Sequence, residues 1–160
     1  MKKIAFFDID GTLTSEIDGS IPVSAIEAIR AARANGNLMF INTGRCFQNV
    51  EERFRSIGFD GLVCGCGTNI YCEDREILHV SQTHDVTMEL LKAAQDADLD
   101  ILFESYKEVT FDRSRPLHDS EAIKLYRQFA SFDYHMPDPN TTPDFACDKF
   151  VTLSLIHISE

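Results

Sequence analysis

The sequence is poor in basic residues, and it lacks long apolar runs. Its 160 residues include 15 Lys and Arg against 26 Asp and Glu, which gives a net charge of −11 at pH 7. Because phosphate backbones are bound by clustered Lys and Arg, this charge argues against a nucleic-acid partner. No stretch of about 18 apolar residues occurs, so we expect no membrane span and no membrane partner. The apolar residues before Asp8 are too few for a signal peptide, and we therefore expect a cytoplasmic protein.

The cysteines do not form the pattern of a disulfide framework. There are five of them, an odd number, and without a signal peptide we expect reduced thiols. Cys64, Cys66 and Cys72 invite a zinc interpretation, but their spacing differs from the usual pairs of a structural zinc site. Buried cysteine commonly behaves as a small apolar residue, and we favour that interpretation.

The most informative segment is an apolar strand that ends in two aspartates. Residues 4–12 read IAFFDIDGT, and ligands of open α/β sheets bind just outside the carboxyl ends of such strands. An Asp carboxylate can carry a phosphoryl group, which is the chemistry available to Asp8. A second carboxyl two residues later, that of Asp10, can move a proton for the leaving group. The plainer interpretation is a strand followed by an Asp-Gly turn.

A second strand ends in a comparable way. Residues 38–45 read LMFINTGR, and Thr43 and Gly44 offer a hydroxyl and an unobstructed backbone amide beside the cation of Arg45. Phosphoryl transfer depends mainly on positioning and charge neutralisation, which these groups can supply. Taken alone, such a tripeptide is also ordinary in a loop.

Together the two motifs resemble those of the haloacid dehalogenase superfamily of phosphatases, and their order and spacing are similar to its Cof-type branch, subfamily IIB. Residues 61–71, GLVCGCGTNIY, are similar to the third core strand of that branch and to its Asn-Gly-Ala-x-Ile-Tyr segment. Here Cys66-Gly67-Thr68 stands in place of Asn-Gly-Ala. The resemblance covers residues 1–152.

The resemblance implies a role for each motif residue. Asp8 would be the nucleophile, and Asp10 would be the general acid and then the base that activates water. The Asp8 carboxylate and the Asp10 carbonyl would bind Mg²⁺, which prefers oxygen ligands and keeps several waters. Phosphate or substrate would be held by Thr43, Gly44 and Arg45. Thr12 would brace the loop that contains Asp8 and Asp10.

Two further motifs of the superfamily are missing. They are a lysine and a Gly-Asp-x-x-Asn-Asp segment, both of which follow the inserted cap domain in the Cof-type branch. No Gly-Asp-x-x-x-Asp occurs in this sequence. Lys149 is a tempting substitute for the lysine, but residues 148–152 better match a cap strand. Residues 153–160 look like a translated sequencing adapter, so we expect a non-native tail. The chain is thus expected to be truncated at its C-terminus and inactive as given.

Alternating strand and helix patterns predict an α/β fold with a parallel sheet. The resemblance implies that residues 1–80 form the N-terminal part of a Rossmann-like core. It implies that residues 81–152 form an incomplete α+β cap domain, which is inserted into that core. Ser24 and Glu27 form a capping box that predicts a helix to about residue 34. The other predicted elements are strands at 3–8, 38–42, 61–64, 100–104, 107–111 and 148–156, a hairpin at 70–80, and helices at 46–57, 84–97 and 119–132.

The leading hypothesis for function is a Mg²⁺-dependent phosphomonoester hydrolase. It would act on a small phosphorylated metabolite, such as a sugar phosphate, through an aspartyl-phosphate intermediate. One alternative is a phosphosugar mutase of the same superfamily, which returns the phosphoryl group to the sugar. The other is a catalytically incomplete module that binds phosphorylated ligands without turning them over.

Overall fold

A computed structural model describes residues 1–15, 17–73, 75–132 and 134–153, which belong to two compact units, Met1–Val80 and Ser81–Glu160. The elements of unit one are β1 (Ile4–Phe7), α1 (Val23–Ala34), β2 (Leu38–Asn42), α2 (Glu52–Arg55), β3 (Gly61–Cys64), β4 (Asn69–Cys72) and β5 (Arg75–His79). Those of unit two are α3 (His84–Asp96), β6 (Asp100–Glu104), β7 (Val109–Phe111), α4 (Ser120–Ser131) and β8 (Lys149–Leu153). Among the described residues, no helix has the length and apolarity needed to cross a bilayer.

The sheet of unit one places three loops at one edge. Its strand order is β1-β2-β3-β4-β5, in which β1, β2 and β3 run parallel and the hairpin of β4 and β5 adds antiparallel strands. Phe7 pairs with Ile41, and Asn42 pairs with Val63, so the three parallel strands end almost level. The segments that follow β1, β2 and β3 therefore emerge side by side, where ligands of α/β sheets bind.

The core of unit one lies between this sheet and the segments that connect its parallel strands. Met39 and Ile41 of β2 are buried, as expected for a strand inside a sheet, and Phe54 is fully buried against them. Gly61 is needed where β3 begins, because an added Cβ would lie 2.3 Å from the Tyr71 carbonyl oxygen and 2.4 Å from the Phe40 ring. The close approach of these strands thus depends on a missing side chain.

The predicted capping box of α1 is wrong. The helix begins at Val23 with Pro22 as its N-cap, and it has no side-chain cap hydrogen bond, so Ser24 lies inside the first turn. The Pro22 carbonyl accepts the first helical bonds, from the amides of Ala25 at 3.0 Å and Ile26 at 3.3 Å. Proline, with its φ already fixed, sets the start of this helix instead of the serine.

The helix predicted over 46–57 is also wrong, because the segment is broken. A single 3₁₀ turn at Phe47–Asn49 is followed by extended backbone at Val50 and Glu51, and then by the short α2. The Asn49 carbonyl accepts a bond from Arg45 Nη1 at 3.3 Å, and the Phe47 carbonyl accepts one from Arg55 Nη2 at 2.5 Å. These carbonyls thus bind guanidinium groups, and the Phe47 carbonyl also accepts a bond from the Val50 amide at 3.2 Å, as in a 3₁₀ turn.

Unit two is a three-stranded antiparallel sheet of order β7-β6-β8 with two helices. All five residues of the central β6 are buried, and Ile101 and Phe103 pack with Leu91 of α3. On α4, Phe129 contacts Phe111 of β7, whose side chain points to the other face of the sheet. Both helices were predicted to within two residues, because each has a regular apolar stripe.

The strand predicted at 148–156 contains a buried ion pair. Within β8, Lys149 lies opposite Glu104 of β6, and its Nζ is 2.5 Å from Glu104 Oε2. The side chains are 19% and 6% exposed, respectively. Lys149 thus lies in a strand, as its pattern predicts. Residues 154–160, which include most of the predicted non-native tail, lie outside the described residues.

Candidate functional site

The two aspartates lie in a tight turn that directly follows β1. The segment Ile9–Leu13 forms one kinked π-type turn, in which Gly11 has a φ of 71°. Ile9 and Leu13 are buried in the core, whereas Asp8 and Asp10 are exposed. Alternation of buried and exposed residues therefore anchors the turn and presents both carboxylates at the edge of the sheet.

Hydrogen bonds from within the turn fix its shape. Asp8 Oδ1 accepts a bond from the Ile9 amide at 2.9 Å. The Thr14 hydroxyl donates to the Ile9 carbonyl at 3.0 Å, so a residue that the sequence did not single out holds the turn. Thr12 is exposed, and its bracing role stays a prediction.

The segment after β2 places a hydroxyl and a glycine beside the aspartate turn. Thr43 is 3% exposed, its amide donates to the Val63 carbonyl at 2.9 Å, and its hydroxyl oxygen accepts a bond from the Arg45 amide at 3.2 Å. That hydroxyl retains its own hydrogen as a donor. Gly44 is exposed next to it. The two groups expected to hold phosphoryl oxygens thus lie in one bend whose backbone is hydrogen-bonded at Thr43.

The segment after β3 is the third one at this edge of the sheet. Its contacts with the Thr43–Arg45 bend were not predicted from the sequence. The Cys66 amide donates to the Thr43 carbonyl at 3.3 Å, and the Gly65 amide donates to the Arg45 carbonyl at 2.8 Å. A Cβ added at Gly44 would lie 3.5 Å from Cys66 Sγ. Cys66 therefore borders the Thr43–Arg45 bend. Its place directly after a third parallel strand was the available signal.

The Arg45 side chain joins two of the predicted residues. Its Nε lies 3.0 Å from Asp10 Oδ2 and its Nη2 lies 2.7 Å from Asp10 Oδ1, which is a bidentate pair. The hydrogen bond from Arg45 lowers the pKa of Asp10 below its ordinary value, and Asp10 in turn raises the pKa of Arg45. A site with a fixed cation beside two carboxylates can bind an anion and neutralise charge that develops on it.

Two residues that the sequence did not suggest extend this contact. Glu51 Oε1 accepts a bond from Arg45 Nη1 at 3.1 Å, and Arg53 Nε donates to Glu51 Oε2 at 2.7 Å. Hydrogen bonds from Arg53 and then from Arg45 lower the pKa of Glu51. Both residues belong to the broken segment that was predicted as a helix, which hid them from pattern reasoning.

The donor groups of the turn are compatible with part of a magnesium site. The Asp8 carboxylate and the Asp10 carbonyl are hard oxygen ligands, and Mg²⁺ is commonly bound by one or two carboxylates with several waters. Within the described ranges, no three side chains of His, Cys, Asp or Glu are grouped as a metal site. Burial raises the pKa of Cys64 to about 11, so this thiol is a poor zinc ligand.

A cleft of about 410 Å³ lies at the opposite end of the sheet, where Lys2 and Asp60 precede their strands. Arg33 binds Asp60 at 2.7 Å, and Arg30 donates to the Ile57 carbonyl at 3.1 Å. Both guanidinium groups thus tie α1 to the segment before β3. The cleft is remote from the aspartate turn, and we assign it a structural role.

Comparison with known proteins agrees with this geometry. A curated relative, the phosphoglycolate phosphatase of Staphylothermus marinus, is 30% identical over 138 residues, which cover 83% of this chain and 53% of that protein. A solved subclass IIB sugar phosphatase is 23% identical with a TM-score of 0.69 and coverages of 88% and 54%. A haloacid dehalogenase-like hydrolase from B. subtilis is 15% identical with a TM-score of 0.72 and coverages of 98% and 63%.

The two solved structures confirm the predicted fold class, an α/β fold with a Rossmann-like core. The chain spans about half the length of the curated relative that it matches. Residues 5–158 match the family described as haloacid dehalogenase-like hydrolases, which confirms the resemblance seen in the motifs. The chain belongs to the haloacid dehalogenase-like hydrolase family.

Proposed function

We propose that this protein is a Mg²⁺-dependent phosphomonoester hydrolase that acts on a small phosphorylated metabolite. The observation that carries the proposal is the bidentate contact between Arg45 and Asp10, which joins the first two motifs at the carboxyl edge of the sheet. Unit one would be the N-terminal half of the catalytic core, and unit two would be part of a cap. The cytoplasmic location expected from the sequence stays a prediction.

In the proposed reaction, an Asp8 carboxylate oxygen attacks phosphorus and the bond to the leaving oxygen breaks. Asp10 gives a proton to that oxygen and later takes one from the water that hydrolyses the aspartyl-phosphate. Thr43 and the Gly44 amide would hold the phosphoryl oxygens. A bound Mg²⁺, held by Asp8 and the Asp10 carbonyl, would supply further neutralisation of charge.

The contact between Arg45 and Asp10 has a consequence for this reaction. A carboxyl that accepts two charge-assisted bonds is held ionised, and an ionised carboxyl cannot protonate a leaving group. A phosphorylated substrate offers oxygens that compete for the same guanidinium. Substrate binding would therefore draw Arg45 from Asp10 and release Asp10 for proton transfer.

The test is hydrolysis of p-nitrophenyl phosphate with Mg²⁺ by the full-length protein and by its Asp8→Asn variant. We expect Asp8→Asn to abolish turnover while its circular dichroism spectrum stays unchanged. The full-length wild-type protein, quenched in acid, should carry a hydroxylamine-sensitive phosphoryl group on the peptide that contains Asp8. Turnover retained by Asp8→Asn would remove Asp8 as the nucleophile.

The names of the relatives guide the choice of natural substrates to assay. 2-Phosphoglycolate and hexose phosphates would be compared, since one relative is called a phosphoglycolate phosphatase and another a sugar phosphatase. Isomerised hexose phosphate without released phosphate would favour the mutase. Binding of phosphate without any turnover would favour the non-catalytic module.

A further inference from the structure

A continuous chain of polar contacts leads away from the aspartate turn. Asp10 binds Arg45, Arg45 binds Glu51, and Glu51 binds Arg53 through both carboxylate oxygens, at 2.7 and 3.2 Å. Arg53 then donates from Nη1 to the Gly19 carbonyl at 2.8 Å. The chain of contacts thus connects the segments after β1 and β2, and no step in it exceeds 3.2 Å.

The backbone and the core around this chain of contacts are arranged to support it. Glu51 occupies the N-cap position of α2, yet its side chain makes no cap hydrogen bond and binds the two arginines instead. Beneath them lies the fully buried ring of Phe54, with the Arg45 guanidinium 5.5 Å and the Arg53 guanidinium 4.6 Å from its centroid. Both cations therefore rest on one fixed surface.

Stability is a weak reason for such contacts. The side chains of Glu51 and Arg53 are 47% and 45% exposed, and ion pairs at that exposure contribute at most about 1 kcal/mol. What the contacts of Glu51 and Arg53 have in common is that they fix the orientation of the Arg45 guanidinium. Glu51 also balances the charge of two arginines that share one aromatic ring, so without it the two cations would repel each other.

We propose that Glu51 and Arg53 are positioning residues that hold Arg45 over the aspartate turn for a phosphorylated substrate. The inference rests on the proposed function. When substrate oxygens replace Asp10 on Nε and Nη2 of Arg45, Glu51 keeps its bond to Nη1. The guanidinium then changes its anionic partner without changing its place.

The first experiment measures hydrolysis of p-nitrophenyl phosphate by Glu51→Gln in the full-length protein. Because small misplacements of a substrate-binding group cost up to about 100-fold, we expect kcat/KM to fall by about 10- to 100-fold, mostly through a higher KM. Arg53→Gln should give the same pattern, and Arg53→Lys, which keeps the charge without the fork, should recover part of it. The matched control is Glu52→Gln, the same change at the neighbouring exposed residue, and it should match the wild type.

A second readout does not depend on turnover. The Nε–H of Arg45 donates to Asp10, so in ¹H–¹⁵N spectra it should exchange slowly with water in the wild type and in Glu52→Gln. In Glu51→Gln that protection should be lost while the amide spectrum of unit one is kept.

The outcomes separate this inference from the proposed function. If the wild type hydrolyses the ester, and Glu51→Gln and Glu52→Gln both match it in KM and in Arg45 protection, the positioning role is refuted and the hydrolase stands. If the wild type neither hydrolyses the ester nor binds inorganic phosphate, the proposed function fails and the positioning role fails with it. A KM that is raised in Glu51→Gln and Arg53→Gln but not in Glu52→Gln supports both.

Discussion

Removing one partner of the Glu104–Lys149 pair is expected to destabilise unit two strongly. The two residues face each other across β6 and β8 with 2.5 Å between Nζ and Oε2, and their side chains are 6% and 19% exposed. Exposed pairs contribute less than about 1 kcal/mol, but breaking a buried one costs about 3–5 kcal/mol because a charge is left uncompensated. Because the pair keeps some contact with water at Lys149, we take the lower end of this range. Lys149→Met is therefore expected to lower the free energy of unfolding by about 3 kcal/mol.

A double variant provides the control for this prediction. Glu104→Met combined with Lys149→Met removes both charges and keeps most of the side-chain volume, so its stability should lie within about 1 kcal/mol of the wild type or above it. Glu104→Met alone removes the acid and leaves the ammonium group, so it should cost a similar amount to Lys149→Met. The two single costs of about 3 kcal/mol each are then absent from the double variant, so the coupling energy of the cycle is about 6 kcal/mol in magnitude.

The assay must report on unit two alone, because the two units need not unfold together. Amide hydrogen exchange at Ile101 and Phe103 in β6, followed against urea concentration, meets this requirement. Single variants within about 0.5 kcal/mol of the wild type would refute the reasoning. So would a double variant that costs as much as the two single variants together.

The Lys149→Met variant also tests whether Lys149 takes part in the reaction. A lysine that balances phosphoryl charge would cost turnover when replaced and leave the unfolding free energy almost unchanged. The pair with Glu104 predicts the reverse, lost stability with retained turnover under conditions where the variant is folded. Lost turnover in a variant of wild-type stability would thus assign Lys149 to the reaction.

Asp60 and two cysteines give the remaining predictions. The hydrogen bond from Arg33 lowers the pKa of Asp60 below 3.8, so its stabilising effect is complete above about pH 4 and is lost as the pH falls. Urea unfolding from about pH 6 to pH 2 should therefore show a flatter acid limb for Asp60→Asn, and parallel curves would contradict this. At about pH 8, iodoacetamide should label the exposed Cys66 before the buried Cys64, whose pKa is about 11, and equal rates would contradict that order.

Local patterns were enough to predict most of the elements. The strands at 38–42 and 61–64 and the helices near 84–97 and 119–132 were correct to within about two residues, because each follows from an apolar period within its own segment. The errors arose where groups other than the apolar period set the backbone: Pro22 at the start of α1, and the guanidinium groups of Arg45 and Arg55 in the broken segment. No pattern within 46–57 reveals that guanidinium groups will occupy the Phe47 and Asn49 carbonyls.

The residues of the candidate site also divide into those that a local pattern predicts and those that only the fold reveals. Asp8, Asp10 and Thr43 could be singled out because each lies directly after an apolar strand, where a parallel sheet presents its ligands. The contact of Asp10 with Arg45, which is 35 residues away, depends on the level ends of β1 and β2 and needed the fold. Cys66 was grouped with other cysteines, and its place beside Gly44 appeared only when the third loop was in position.

The missed helix break and the missed residues Glu51 and Arg53 have one physical cause. In a continuous helix, positions 45 and 51 would be six residues apart, about 9 Å along the axis, and side chains make contact three or four residues apart. The extended backbone at Val50 and Glu51 removes that spacing, and the two side chains come within 3.1 Å of each other. Arg45 also donates to the Asn49 carbonyl within the same segment. The side chain that would receive the substrate therefore helps to break the helix, and the break brings Glu51 to that side chain.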